Sequence, residues 1–84
     1  MVTQRHGNYM KFSLEVLSDY TFVIRATRET GKFTRLRVKD LEVVMSLIIQ
    51  DKEDITNISK GLFKALIASD LLEYSSKDVA FLMC

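Results

Sequence analysis

Proline and tryptophan are missing from this 84-residue chain, and cysteine and histidine appear once each. The lone cysteine, Cys84, excludes an intramolecular disulfide, so a reducing, cytoplasmic setting is expected. It does not sit fourth from the end, as a prenylation box requires, and it has no activating neighbour. The lone histidine, His6, excludes a His-pair metal site and has no catalytic companions in the polar stretch Met1–Asn8. Without proline, every break in regular structure falls to Gly, Asn, Asp and Ser. The longest apolar stretch, near Val43–Ile49, is far too short to span a bilayer, and Met1–Met10 lacks the apolar run of a secretory signal.

Chemistry-bearing motifs are also missing. Asp51-Lys52-Glu53-Asp54 concentrates carboxylates but lacks the spaced acidic loop of an EF-hand, and is better read as a solvated capping loop. Thr30-Gly31-Lys32-Phe33-Thr34 faintly echoes a phosphate loop, without the upstream glycine or the strand–loop–helix setting. No catalytic residue, metal site or cofactor is expected, and the chain is read as non-enzymatic.

What is present is a folding composition with an uneven charge distribution. The residues are 48% hydrophobic and 27% charged, which favours a globular fold over disorder. The length allows one small domain over residues 1–84, with 1–8 as a loose lead-in. The net charge of +1 conceals a split. Residues 1–39 hold eight cationic side chains against three carboxylates, whereas residues 40–84 hold four against eight. Such asymmetry suits a polar partner surface at one end, or self-association of opposite ends.

The stretch from Thr21 to Lys39, TFVIRATRETGKFTRLRVK, organises the rest. Phe22–Arg28 is rich in aromatic and β-branched residues, as a half-buried strand requires. Side chains alternate, so Phe22, Ile24 and Ala26 share one face, and Val23, Arg25 and Thr27 the other. Gly31 in Glu29-Thr30-Gly31-Lys32 supplies the positive φ of a tight connection. In the second arm, Thr34, Leu36 and Val38 share the apolar face, and Phe33, Arg35, Arg37 and Lys39 the opposite one. Between Arg25 and Lys39, six cations (Arg25, Arg28, Lys32, Arg35, Arg37, Lys39) meet only Glu29.

Two readings of this basic face stay open from the residues alone. Cations release counterions from a phosphate backbone, and an exposed aromatic stacks on a base. Alternatively, a sheet's outer face needs soluble residues, and Arg and Thr serve there. Phe33 by itself is a sheet-packing residue before it is a stacking platform. The phosphate reading requires that the guanidiniums emerge as one strip, not tied up by the acidic C-terminal half.

Around the hairpin, the spacing predicts an α+β fold. Tyr9–Leu17 alternates as a first strand, and Ser18-Asp19-Tyr20 turns it into a three-stranded antiparallel meander. Asp40 is an N-cap for a helix whose apolar stripe is Leu41, Val44, Met45 and Ile48. Val43, Leu47 and Ile49 widen the stripe almost all round, so this helix is expected at the buried centre. A second helical pattern runs from Ile55 or Ile58 to about Leu72, with Asp54 or Asn57 as cap. It is one helix or two according to whether Gly61 interrupts it. Leu71–Tyr74 and Asp78–Cys84 flank Ser75-Ser76-Lys77 as a C-terminal β-hairpin. The meander is thus expected to pack on two or three helices. Over residues 40–83 the order of helix, second helical segment and terminal hairpin resembles a winged helix-turn-helix. That resemblance implies a recognition segment at Leu62–Asp70, where Lys64 is the one basic contact.

Two functions are compatible with these features. One is a small regulator binding nucleic acid through Arg25, Arg28, Lys32, Phe33, Arg35, Arg37 and Lys39. The other is an adaptor or inhibitor docking on an acidic protein surface, with a homodimer as a variant in which the apolar helix and the Val79–Cys84 tail are shared. No membrane partner is expected.

Overall fold

The computed structural model describes residues 9–83. The expectations placed on residues 1–8, including His6, and on Cys84 fall outside these. Four strands and three helices follow one another as β1 (Met10–Val16), β2 (Phe22–Arg28), β3 (Phe33–Val38), α1 (Leu41–Gln50), α2 (Lys60–Ala68), β4 (Leu72–Glu73) and α3 (Ser76–Met83). The strands form one antiparallel sheet in the order β1-β2-β3-β4.

Local chemistry sets the meander. After β1, the Tyr20 N–H donates to the Leu17 carbonyl (2.9 Å), and the Leu17 N–H donates to the Thr21 carbonyl (2.8 Å). Tyr20 adopts φ 68° to close this turn. Between β2 and β3, Gly31 takes φ 95°, a conformation that costs a residue without a Cβ little. The register places Ser13, Arg25 and Arg35 in one row across three strands, and Glu15, Val23 and Arg37 in the next.

All three helices pack on one face of the sheet. Phe12, Ile24, Ala26 and Leu36 from the strands meet Val44 and Ile48 of α1 and Leu62, Phe63 and Leu66 of α2 in a single apolar cluster. Asp40 caps α1 as its position suggests, with the Val43 N–H donating to Oδ1 at 3.2 Å. However, α1 is not the buried centre: only Val44 and Ile48 are enclosed, while Val43 and Ile49 are 41% and 70% exposed. The central helix is α2, which buries three residues over a shorter length.

The start of α2 also departs from expectation. Residues 55–58 lie against the free side of β1, where the Leu14 N–H donates to the Ile55 carbonyl (2.7 Å) and the Ile58 N–H to the Phe12 carbonyl (2.8 Å). This backbone pairing covers a sheet edge that would otherwise present unpaired groups. The helix therefore begins only at Lys60, and its cap is Ser59, whose Oγ accepts from the Leu62 N–H at 3.1 Å. Asp54 instead folds back on Thr56, accepting from its N–H and its hydroxyl, each at 2.9 Å. Gly61 lies inside the first turn of one uninterrupted helix.

The C-terminal hairpin is replaced by a two-residue strand and a helix. β4 adds to the β3 edge through Arg37 opposite Glu73 and Val38 opposite Leu72. Ser75 and Asp78 then cap each other: the Ser75 N–H donates to Asp78 Oδ2 (2.8 Å) and the Asp78 N–H to Ser75 Oγ (3.3 Å). This reciprocal arrangement starts a helix, which alternating apolar residues alone do not reveal. The winged-helix order of elements does not hold, because the expected second wing strand is α3.

The outer sheet face as a candidate binding surface

Among the described residues no helix packs on the opposite face of the sheet, and there the hairpin's alternation holds. Val23, Arg25 and Thr27 of β2, and Phe33, Arg35 and Arg37 of β3, point to this side together with Lys11, Ser13 and Glu15 of β1. Arg25 and Arg35 sit directly opposite each other. Both stack on Phe33, with guanidinium carbons 3.9 Å and 4.9 Å from the ring centroid. A cation over an aromatic face is attracted by the ring's negative quadrupole. Val23, in the row of Glu15 and Arg37, is only 3% exposed although it lies outside the apolar cluster. The long side chains around it form a thin covering layer.

Carboxylates meet most of these cations. Glu15 accepts a hydrogen bond from Arg35 Nε at 3.0 Å and lies 3.6 Å from Arg25. The Arg35 hydrogen bond is the main reason that the Glu15 carboxyl is held below its ordinary value. Arg37 lies 3.6 Å from Glu73 of β4, and Lys39 lies 2.8 Å from Asp70, just before it. The Asp70 hydrogen bond raises Lys39 above its ordinary value. The strip is thus continuous, but of the four ion pairs it forms among the described residues, two reach into the acidic C-terminal half. These contacts are exposed: Arg37 keeps 65% of its side-chain surface open to solvent, and Glu73 54%. Exposed pairs of this kind hold weakly and exchange readily.

The remaining residues of the basic stretch lie elsewhere. Arg28 falls on the helical side with Phe22, Ile24 and Ala26, as a period of two requires. Its guanidinium stacks on Phe81 of α3, 4.6 Å from the ring centroid, and donates to the Phe81 carbonyl. Lys32 is exposed in the turn between β2 and β3. Five of the seven residues are therefore gathered on or beside the outer face, and Arg28 holds a helix in place.

Sequence reasoning missed the partners Glu15, Asp70 and Glu73. Alternation already put Glu15 on the outer side of β1, so a matched register would have found it. Nothing local marks Asp70 or Glu73, because they reach the face only through β4. Beside β4 the β3 edge opens into a shallow depression of about 730 Å³, lined by Arg35, Arg37, Lys39, Asp70, Glu73 and Tyr74 among others. Among the described residues no group of three or more His, Cys, Asp or Glu could hold a metal ion. No helix among them is long and apolar enough to cross a membrane. Comparison of the chain with family models, with curated proteins and with solved structures returned no match.

Proposed function

We propose that this is a non-catalytic regulatory protein that docks through its outer sheet face on an acidic protein surface. The observation that carries the reading is the Arg25–Phe33–Arg35 stack, anchored by Glu15. Arginine and aromatic side chains held in fixed geometry at the middle of a flat face are the residue types that dominate protein interfaces. Arg37 and Lys39 extend the positive strip, and their weak surface pairs can be exchanged for a partner's carboxylates. The interleaved Glu15 and Glu73 favour a patterned partner over a uniform polyanion, because closely spaced phosphates would meet these carboxylates as well as the cations.

Nucleic acid is the second reading. It is favoured by Phe33, 41% exposed between two guanidiniums. Affinity capture before and after nuclease treatment separates the two, with the R35E/R37E variant as control. Capture of a discrete protein that survives nuclease and is lost in the variant supports docking on protein. Capture that vanishes with nuclease, together with retention of a single-stranded oligonucleotide that falls steeply with salt, replaces it with the phosphate reading.

A further inference from the structure

The helical side of the sheet holds a separate concavity. β1, α2 and α3 diverge around a half-enclosed cleft of about 450 Å³. Small-ligand sites occupy roughly 300–1,000 Å³, so the volume suffices for one small molecule. The walls are apolar, with Met10 and Phe12 from β1, Phe63 and Ile67 from α2, and Val79 and Leu82 from α3. Phe12 and Phe63 stack with ring centroids 4.2 Å apart and planes 15° from parallel, which gives the cleft a firm base.

Two lysines stand at the same cleft. Lys60 and Lys64 are one turn apart on α2, so they share a side of that helix. Among the described residues no carboxylate lines the cleft, and the first turn of α2 contains no acidic residue. Among the described residues neither lysine forms an ion pair, in contrast to Lys39 on the outer face. The N-terminal end of α2 contributes a partial positive charge of the same sign. An apolar cavity with an uncompensated cationic rim is complementary to a molecule with an apolar body and an anionic end.

We propose that the cleft binds a free aliphatic carboxylate of medium chain length. Its chain lies along Phe63, Ile67 and Leu82, and its carboxylate lies between the ammonium groups of Lys60 and Lys64. The lining offers no guanidinium fork of the kind that singles out phosphate. The chain's own residues 1–8 do not match the rim, since they carry Arg5 and no carboxylate. The site is independent of the outer sheet face and does not rest on the function proposed for it.

The test is titration of the full ¹⁵N-labelled chain with decanoate, decanol and acetate, followed by amide shifts. Decanoate is expected to saturate at one equivalent, moving Phe63, Ile67, Leu82 and Met83, while acetate moves none of them. Decanol is expected to bind about tenfold more weakly, the difference made by two rim charges. The exposed double variant K60Q/K64Q should lower decanoate affinity by the same factor and leave decanol unchanged. A68W, which fills the cleft from an exposed position on α2, should abolish both. Equal affinity for decanoate and decanol, decanoate affinity unchanged in K60Q/K64Q, or shifts mapping elsewhere would overturn the proposal. So would cleft resonances that move on dilution of the ligand-free protein, which assigns the groove to a second copy of the chain.

Discussion

Arg25 and Arg35 face each other directly across β2 and β3, two like charges in one register. Such a pair is destabilising by itself. Here Phe33 offers its ring to both guanidiniums, and Glu15 lies within ion-pair distance of both. Arg25 Nε is buried and lacks a hydrogen-bond partner among the described residues, a cost that the stack must offset.

Removing that carboxylate exposes the repulsion. Glu15→Ala should destabilise the protein by about 0.5–1 kcal/mol at low salt. The loss should shrink at high salt, where the two guanidiniums are screened from each other. Urea denaturation at two salt concentrations checks this, and an unchanged midpoint in both would show that Glu15 does not relieve the pair.

Acid should weaken the fold through its hydrogen-bonded carboxylates, Asp78 and Glu15 among them. Burial works to raise Asp78, but hydrogen bonds from the Ser75 N–H, the Thr34 hydroxyl and the Ser75 hydroxyl together bring it below its ordinary 3.8. Glu15 lies below its ordinary 4.5, chiefly through Arg35. A carboxylate with a depressed folded-state pKa contributes stability that is complete above its unfolded value and is lost as pH falls through the folded value. Stability should therefore be level above about pH 5 and decline below about pH 4. Asp78→Asn should flatten part of that decline and cost about 1 kcal/mol at neutral pH, because the cap of α3 is weakened. Thermal melts from pH 3 to 7 on both proteins measure the difference.

Leu66 and Ile49 test which helix is central. Leu66 is fully enclosed in α2, and Leu66→Ala should cost about 2–5 kcal/mol. Ile49 on α1 is 70% exposed, and Ile49→Ala should change stability by no more than about 0.5 kcal/mol. Equal losses in chemical denaturation would restore α1 to the buried centre that its composition suggests.

Lys52 ends α1 in a left-handed conformation, φ 56°, with its N–H donating to the Ile49 carbonyl at 3.0 Å. Glycine enters that region without a Cβ clash. Lys52→Gly should thus stabilise the protein by about 1 kcal/mol, read as a raised denaturation midpoint.

Short-range periodicity made much of this fold legible. β2 and β3 have the expected bounds, β1 is one residue shorter at each end, and Asp40 caps the helix that follows. The errors have two sources, a distant contact that outcompetes a local pattern and a local cap that apolar spacing does not reveal. Ile55–Ile58 continues a helical stripe but pairs with β1 instead, since a sheet edge offers its backbone better partners. Val79–Met83 is apolar enough for a strand, yet the Ser75–Asp78 cap turns it into α3.

The sequence by itself determined that Arg25, Phe33, Arg35 and Arg37 share a side of the sheet. Alternation is a property of extended backbone and needs no knowledge of the rest of the chain. Only the tertiary structure decided that Glu15 and Glu73 meet those arginines, that Asp70 meets Lys39, that Arg28 fastens α3, and that Lys60 and Lys64 overlook an apolar cleft. Each of these depends on register and docking between segments remote along the chain, which local spacing does not encode.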